Sequence, residues 1–335
     1  MSRVLVSGGC GFIGSHLVRR LVREHPDLEV VNIDLLTYAG RPENVADLAD
    51  ERRYTFVHGD IANADDVARA AEGCDGIINV AAESHVDRSI MGGDEFVTTN
   101  VLGTKRLLDH ARAHGLRYLQ VSTDEVYGDV EAPHRSVETD PLHGSSPYAA
   151  SKAAGDLLVL SYARTYGLNA SITRGSNTYG PYQFPEKLIP LFTTNAFDGK
   201  ELPLYGDGMQ VREKLFVEDH CAAIDLVYHH GAAGEAYNVG AEHEVPNIET
   251  AHRIIELTGA DPASLVRVAD RPGHDRRYAL DCAKLRALGW ERRTDFDTGL
   301  ALTVDWFREN RAWWEAITSG EAYADYSAKN YGARG

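Results

Sequence analysis

A basic excess, closely spaced cysteines, long apolar runs and internal repeats are all missing from this 335-residue chain. Lys and Arg number 34 against 50 Asp and Glu, a formal net charge of −16. That sign argues against general binding to nucleic acid or an anionic membrane. A small anion remains possible, because local arginines and helix ends decide that. The four cysteines, Cys10, Cys74, Cys221 and Cys282, have no metal or redox spacing and read as buried thiols. The 14 histidines are read as free of H-x-x-x-H and H-E-x-x-H patterns, and no metal is expected. His229-His230 reads as a helix end before Gly231, where imidazoles complement the dipole. No stretch approaches the length of a membrane helix. Arg3–Ser7 is too short for a signal peptide and runs straight into glycines, so the chain reads as cytoplasmic.

What is present is ordinary globular material, 43% hydrophobic and 25% charged, with enough length for one large or two fused domains. Arg3–Ser7 reads as a strand, then Gly8, Gly11 and Gly14 form a G-x-x-G-x-x-G turn before an amphipathic helix bearing Ile13, Leu17 and Leu21. Glycines there allow a tight turn, close approach of a pyrophosphate and packing of helix on strand, with the helix N-terminus facing the phosphates. Alone, such a turn is weak evidence. A second strand, 29–33, ends in Asp34 about twenty residues after Gly14, where an acid holds adenosine ribose hydroxyls and repels a 2′-phosphate. NAD is therefore favoured over NADP. Arg41 would suit the extra phosphate but stands well beyond the strand end.

Strand and helix keep alternating: strands at 54–57, 76–80 and 116–122, helices at 65–71 and 94–114. Alternation of this kind implies an α/β fold, a doubly wound parallel sheet of Rossmann type. Asp60 suits either the adenine edge or a helix N-cap. Small residues at Ala81-Ala82 let a flat cofactor lie close. Thr123, Asp124 and Glu125 fall at the carboxyl end of a strand, where open α/β sheets form their ligand crevice. Tyr148 and Lys152 are four apart in a helix opened by Ser146-Pro147, which puts phenol and ammonium on one face. A nearby cation favours phenolate, so Tyr148 is expected to serve as a base near neutral pH.

Beyond a strand at 168–173 the pattern becomes irregular. Residues 174–188 mix aromatics, Asn, Lys and Pro as a binding loop does. Residues 202–208 and 211–217 suggest a strand pair joined by a glycine turn. Residues 270–278 concentrate arginines in an acidic chain and are read as a pyrophosphate clamp rather than a solvated loop. Residues 296–317, with Trp306, Phe307, Trp313 and Trp314, read as a packing helix.

The glycine turn, the 81–89 run Ala-Ala-Glu-Ser-His-Val-Asp-Arg-Ser, the 122–128 run Ser-Thr-Asp-Glu-Val-Tyr-Gly and the Tyr148/Lys152 pair together resemble the extended short-chain dehydrogenase/reductase superfamily. From Arg3 to about Glu315 the chain is similar to the dTDP-glucose 4,6-dehydratases, the Thr-Asp-Glu run being the specific part. Related epimerases and decarboxylases usually carry small or hydroxyl residues at the Asp-Glu positions. The resemblance implies a smaller, mixed C-terminal substrate-binding domain: residues 1–175 would bind NAD and 176–335 mainly the sugar nucleotide, with about 211–240 returning to the first.

It also implies roles. Tyr148, assisted by Lys152, would take the sugar 4-hydroxyl proton while hydride passes to NAD, and Thr123 would hydrogen-bond the 4-oxygen. Glu125 would take the C5 proton, and a protonated Asp124 would donate to the departing 6-hydroxyl. Gly8, Gly11, Phe12, Ile13, Gly14, Asp34, Leu35, Thr37, Asp60, Ile61, Ala81, Ala82, Ser84 and Asn100 would join Tyr148 and Lys152 around NAD. Ser84, His85, Thr123, Asn177, Lys187, Leu188, Pro203, Tyr205, Arg212, Asn247, Arg271 and His274 would face a nucleotide-diphosphate sugar of the dTDP- or UDP-glucose type. Arg212 and Arg271 would hold its diphosphate, with Tyr205 near the base. Lys214 and Thr178 depart from the Trp and Asn of many relatives, which leaves the particular sugar nucleotide open. A homodimer through the Tyr148 helix and the long helix before it is implied as well.

Overall fold

Short runs rich in Val, Ile and Leu, apolar on both faces, are the signature of strands buried between two helical layers. In the computed structural model, which describes residues 2–331, they form such a sheet. Twelve strands occur among the described residues: β1 Ser2–Ser7, β2 Leu28–Asp34, β3 Tyr54–His58, β4 Gly76–Asn79, β5 Arg117–Thr123, β6 Ala170–Gly175, β7 Asn177–Tyr179, β8 Leu202–Tyr205, β9 Val211–Phe216, β10 Ala236–Val239, β11 Glu244–Pro246 and β12 Leu265–Val268. Seven of them make one sheet in the order β10-β6-β5-β4-β1-β2-β3. Every pairing in it is parallel. Strand order reverses between β1 and β4, so a crevice opens above their carboxyl ends.

Helices Phe12–Glu24 and Val217–His230 cover one face and share a core with Val4, Val6 and Leu119. Helices Ala64–Ala70, Thr104–His114 and Pro147–Tyr166 cover the other, around Leu5, Ile77 and Tyr118. The Pro147–Tyr166 helix has the ends its sequence specifies: the Ser146 hydroxyl accepts from Ala149 N, Pro147 opens the first turn, and Gly167 closes it at φ 68°. The long helical stretch before β5 is not uniform. Asp94–Phe96 passes through a π-wound segment, Val97–Gly103, before Thr104–His114.

After β6 the chain builds a second body on a separate core of Ile189, Phe192, Leu202, Phe216, Ile254 and Leu300. Residues 217–239 return to the main sheet as the Val217–His230 helix and β10. The strand pair expected from 202–208 and 211–217 does not form. β8 pairs in parallel with β12, while β9 pairs antiparallel with β11 and parallel with β7. Gly206 and Gly208 turn at φ 56° and 74°, and Gly208 O and Gln210 O accept from Ile248 N and Asn247 N. That ties the turn to the Asn247–Thr258 helix, so the chain does not fold back on β8. The packing helix expected at 296–317 is two helices, Phe296–Glu309 and Arg311–Thr318, broken where Asn310 donates its side chain to Trp306 O. A further helix, Glu321–Tyr331, follows.

Candidate active site

The glycine turn is built as its spacing requires. Gly8 adopts φ +74°, and a Cβ on Gly14 would fall on the Gly8 carbonyl oxygen. Only glycine brings the Phe12–Glu24 helix this close to β1. Asp34, buried at the end of β2, accepts from Cys10 N at 2.9 Å and Leu36 N at 2.8 Å, clamping the turn to its own loop. Burial raises its pKa and these two donors pull it back. The crevice above is lined by Gly8, Gly11, Phe12, Ile13, Gly14, Asp34, Leu35, Thr37, Asp60, Ile61, Ala81, Ala82, Ser84, Tyr148 and Lys152. Asp60 is not a helix N-cap; Asn63 caps Ala64–Ala70, accepting from Asp65 N and Asp66 N. Arg41 pairs with Glu43 at 3.5 Å.

Asn100 does not line the crevice. From the π-wound segment it accepts from Glu83 N (3.0 Å) and donates to Glu83 O and Ser151 Oγ (both 2.9 Å). It fastens the loop after β4 to the Tyr148 helix, a place where local winding is altered to aim one side chain.

At the end of β5 the carboxylates are stacked by the chain itself. Thr123 Oγ1 accepts from Glu125 N and donates to Asp124 Oδ1 at 3.2 Å. Asp124 is buried, its Oδ2 has no hydrogen-bond partner among the described residues, and burial followed by the charge of Glu125 raises its pKa well above the usual range. Burial thus favours its neutral form, the form that can donate. Glu125, half-buried, is also raised by burial, but Arg271, Lys187 and Arg212 hold it down. Two adjacent carboxyls are thus pushed to different tasks.

Tyr148 and Lys152 are both buried, which opposes the ionised form of each. Burial and then Glu125 raise the phenol, and a hydrogen bond with Thr123 lowers it. Lys152 Nζ donates to Val121 O at 2.8 Å, and burial lowers its pKa to about 8. Beneath both, Arg174 pairs with Asp156 at 2.9 Å and donates to Tyr127 Oη, which donates to Asn238 Oδ1. Sequence reasoning missed this buried network; a charged pair inside apolar strands and helices was the available signal.

A second cavity adjoins the first, Glu186 and Lys187 lining both. Its wall includes His85, Glu125, Asn177, Lys187, Leu188, Pro203, Tyr205, Arg212, Lys214, Asn247, Arg271 and His274. Ser84 lies in the first cavity instead, its carbonyl accepting from Lys187 Nζ at 2.8 Å. Thr123 is reached through Tyr148. Arg271 Nε has no hydrogen-bond partner among the described residues, while Arg212 is braced by Asp275 O and the Tyr278 ring. The clamp expected across 270–278 reduces to Arg271 and His274: Arg276 pairs with Asp207 and Arg277 with Glu244, which turns both guanidiniums away. Lys214 donates to Asn247 Oδ1 at 3.2 Å. Also missed were the Arg88–Glu186 pair at 3.0 Å and Tyr326 of the last helix, whose ring lies under the Arg88 guanidinium and whose hydroxyl meets His85 at 3.3 Å. All four cysteines are buried and unbridged, as expected.

A glycine-turn crevice that holds a Tyr-x-x-x-Lys pair and adjoins a charged cavity defines the short-chain dehydrogenase/reductase class of enzymes. Comparison narrows this. A family model described as GDP-mannose 4,6 dehydratase matches residues 5–303. The dTDP-glucose 4,6-dehydratase of Streptomyces niveus is 49% identical over 95% of this chain and 96% of its own. The solved dTDP-glucose 4,6-dehydratase DesIV of Streptomyces venezuelae, with NAD bound, superposes with a TM-score of 0.92 at 52% identity, covering 94% of this chain and 99% of that one. A UDP-glucose 4-epimerase from Thermus thermophilus, also with NAD, reaches 0.85 at 33% identity, covering 92% of this chain and 99% of that one. The chain belongs to the dTDP-glucose 4,6-dehydratase family.

Proposed function

We propose that this protein is an NAD-dependent nucleotide-sugar 4,6-dehydratase that converts dTDP-glucose to dTDP-4-keto-6-deoxyglucose and water. The observation that carries the reading is the buried Asp124–Glu125 pair, one carboxyl pushed toward its neutral form and the other ringed by cations, beside Tyr148 and Thr123. A 4-epimerase needs no such acid and base.

The crevice fits NAD: the glycine turn admits a pyrophosphate at a helix N-terminus, and Asp34 would accept ribose hydroxyls and repel a 2′-phosphate. Bound there, NAD takes a hydride from the sugar and later returns it. Tyr148 accepts the 4-hydroxyl proton, and Thr123 orients the same oxygen. For this Tyr148 must be ionised when the site is loaded, with Lys152 and the positive nicotinamide as the cations that would favour its phenolate. Glu125 removes the proton at C5, and Asp124 gives its proton to the 6-hydroxyl as water leaves. Arg212 and Arg271 bind the diphosphate. Once phosphate oxygens claim them, the cations that depress Glu125 are partly neutralised, and Glu125 becomes the stronger base its step requires.

The proposal divides the chain into a cofactor half, 1–175, and a sugar-nucleotide half, 176–335. It includes a cytoplasmic homodimer. No described helix is long and apolar enough to cross a membrane. Val97, Leu102 and Leu157 stand exposed on the Tyr148 helix and on the π-wound stretch that precedes β5. The deciding experiment is turnover of dTDP-glucose and UDP-glucose in deuterium oxide, read by mass spectrometry. Loss of water with one deuterium gained at C5 supports the dehydratase and ranks the nucleotides. Conversion of glucose to galactose at unchanged mass would overturn it. No reaction with either would redirect attention to Lys214 and a modified sugar.

A further inference from the structure

In a doubly wound sheet each helix runs back against its strand, so helices end at the edge opposite the ligand crevice. At that far edge the helices Phe12–Glu24 and Val217–His230 finish side by side. His25 caps the first, and Asp225 and His229, four apart, share one face of the second. His25 Nε2 lies 2.8 Å and His229 Nδ1 3.0 Å from the same atom, Asp225 Oδ1. The two imidazoles stack with centroids 4.5 Å apart. Arg20 Nε holds the other oxygen, Asp225 Oδ2, at 2.9 Å.

We propose that His25, Asp225 and His229 bind a divalent transition-metal ion of the zinc type. One ligand atom from each lies within 4.8 Å of the others, and no other group of three or more such residues among the described ones does this. His110 and His114 form an H-x-x-x-H pair, contrary to the expectation of none, and their rings are 4.4 Å apart, but no third donor joins them among the described residues. A tetrahedral zinc with bonds of roughly 2.0–2.2 Å separates its ligands by about 3.3–3.6 Å. The two nitrogen–oxygen spacings, 2.8 and 3.0 Å, therefore need only open by a few tenths of an ångström, and the two nitrogens lie within 4.8 Å of each other. Two imidazoles and a carboxylate suit zinc, cobalt or nickel rather than calcium or magnesium. The ion takes the place of the His25–Oδ1 hydrogen bond and draws His229 Nδ1 off the Asp225 carbonyl oxygen, which that nitrogen now meets at 3.0 Å. Arg20 then acts as the outer partner that fixes the carboxylate. The site opens into a hollow also lined by Trp290, His230 and Glu291, from which the fourth ligand, a side chain or water, is supplied. His25 and His229 are each about one-third exposed, so the ion reaches them directly from solvent.

None of the three residues lines either active-site cavity. The ion's work is therefore structural: it cross-links the helix that carries the glycine turn to the helix that returns from the second body. The competing account is that these atoms form only a hydrogen-bonded ion pair.

The test uses the untagged full-length protein, stripped with a chelator and titrated with Zn²⁺ in competition with a chromophoric chelator. One equivalent is expected to bind and to raise the thermal midpoint. His25→Gln and His229→Gln should each weaken it by at least about tenfold, the scale of losing even an outer partner, with dTDP-glucose turnover unchanged. On the wild-type protein, Co²⁺ should give four-coordinate visible bands without sulfur charge transfer, which answers the question even if a variant fails to fold. Failure of the wild type to bind, equal binding by both variants, or a thiolate spectrum would each overturn the proposal.

Discussion

The two cavities that meet at Glu186 and Lys187 are made in different ways. The cofactor crevice is built around a glycine turn, the ends of β2, β3, β4 and β5, and small residues that let a flat molecule lie close. The substrate cavity is side chain, with Arg212, Arg271, Lys187, Lys214, Glu125 and His85 arriving from separate segments between residues 85 and 271. A dinucleotide is held by shape and by the dipoles of one turn. A diphosphate sugar must be held by charges, and moved protons need carboxyls whose environments differ. The first site can be written in a few consecutive residues; the second needs the whole fold.

Mutations should separate the two. The largest effect is expected for Asp124→Asn combined with Glu125→Gln, which should lower kcat at least about 10²–10⁴-fold, the range for loss of general acid–base catalysis. NAD content, measured by absorbance of the released cofactor, should not change. If it falls as well, the cavities are not independent.

Next is the layer under both. Asp156→Leu strands Arg174 as an uncompensated buried charge, and should cost about 3–5 kcal/mol in denaturant unfolding. The double change Asp156→Leu with Arg174→Met should recover much of that. No recovery would mean that the Tyr127 and Asn238 contacts, not the charge pair, carry the stability.

Arg271→Ala should raise KM for the sugar nucleotide about 10–100-fold, the value of one or two charge-assisted hydrogen bonds, and leave NAD binding alone. An equal fall in kcat at constant KM would assign Arg271 to the transition state instead. Asn100→Ala should cost about 1–3 kcal/mol, because Glu83 N and O lose their buried partner. It should weaken NAD only indirectly, through the loop after β4.

The smallest effect is a gain. Asp124 has its folded pKa raised above the unfolded value, so the folded state binds the extra proton and stability declines as pH rises through the ordinary carboxylate range. Asp124→Asn removes that liability. Its melting midpoint should exceed the wild type's by a few degrees at neutral pH, with the difference closing below about pH 4, where the unfolded carboxyl is protonated as well. A constant difference across pH would mean that Asp124 is ionised in the fold.

Much of this was legible beforehand, for identifiable reasons. The Ser146-Pro147 start and Gly167 stop of the Tyr148 helix are local rules, and they hold. Cavity residues far apart in sequence, such as Asn177, Tyr205 and His274, were reachable only through resemblance, since no periodicity links them. Errors arose where one local pattern had two outcomes. The 202–217 segment looks like a hairpin, but strand partners are chosen by the sheet as a whole, and β12 and β11 won. The arginines of 270–278 looked like one clamp, but Asp207 and Glu244 draw two of them away. Burial of Tyr148, which no sequence shows, opposes its ionisation and is what the cations of the loaded site must overcome.

By itself, then, the sequence determined the parallel sheet, the glycine turn with its acid at Asp34, and the placing of Tyr148 and Lys152 on one helix face. Each follows from periods of two or 3.6 residues and from what glycine, proline and small hydroxyls do to their neighbours. Tertiary structure alone decided which carboxyl burial pushes furthest toward its neutral form, which arginines stay aimed at a ligand, and that His25 meets Asp225 and His229 at the far edge of the sheet. Those depend on desolvation and on the competition among charges distant in the chain, and both exist only once the elements have packed.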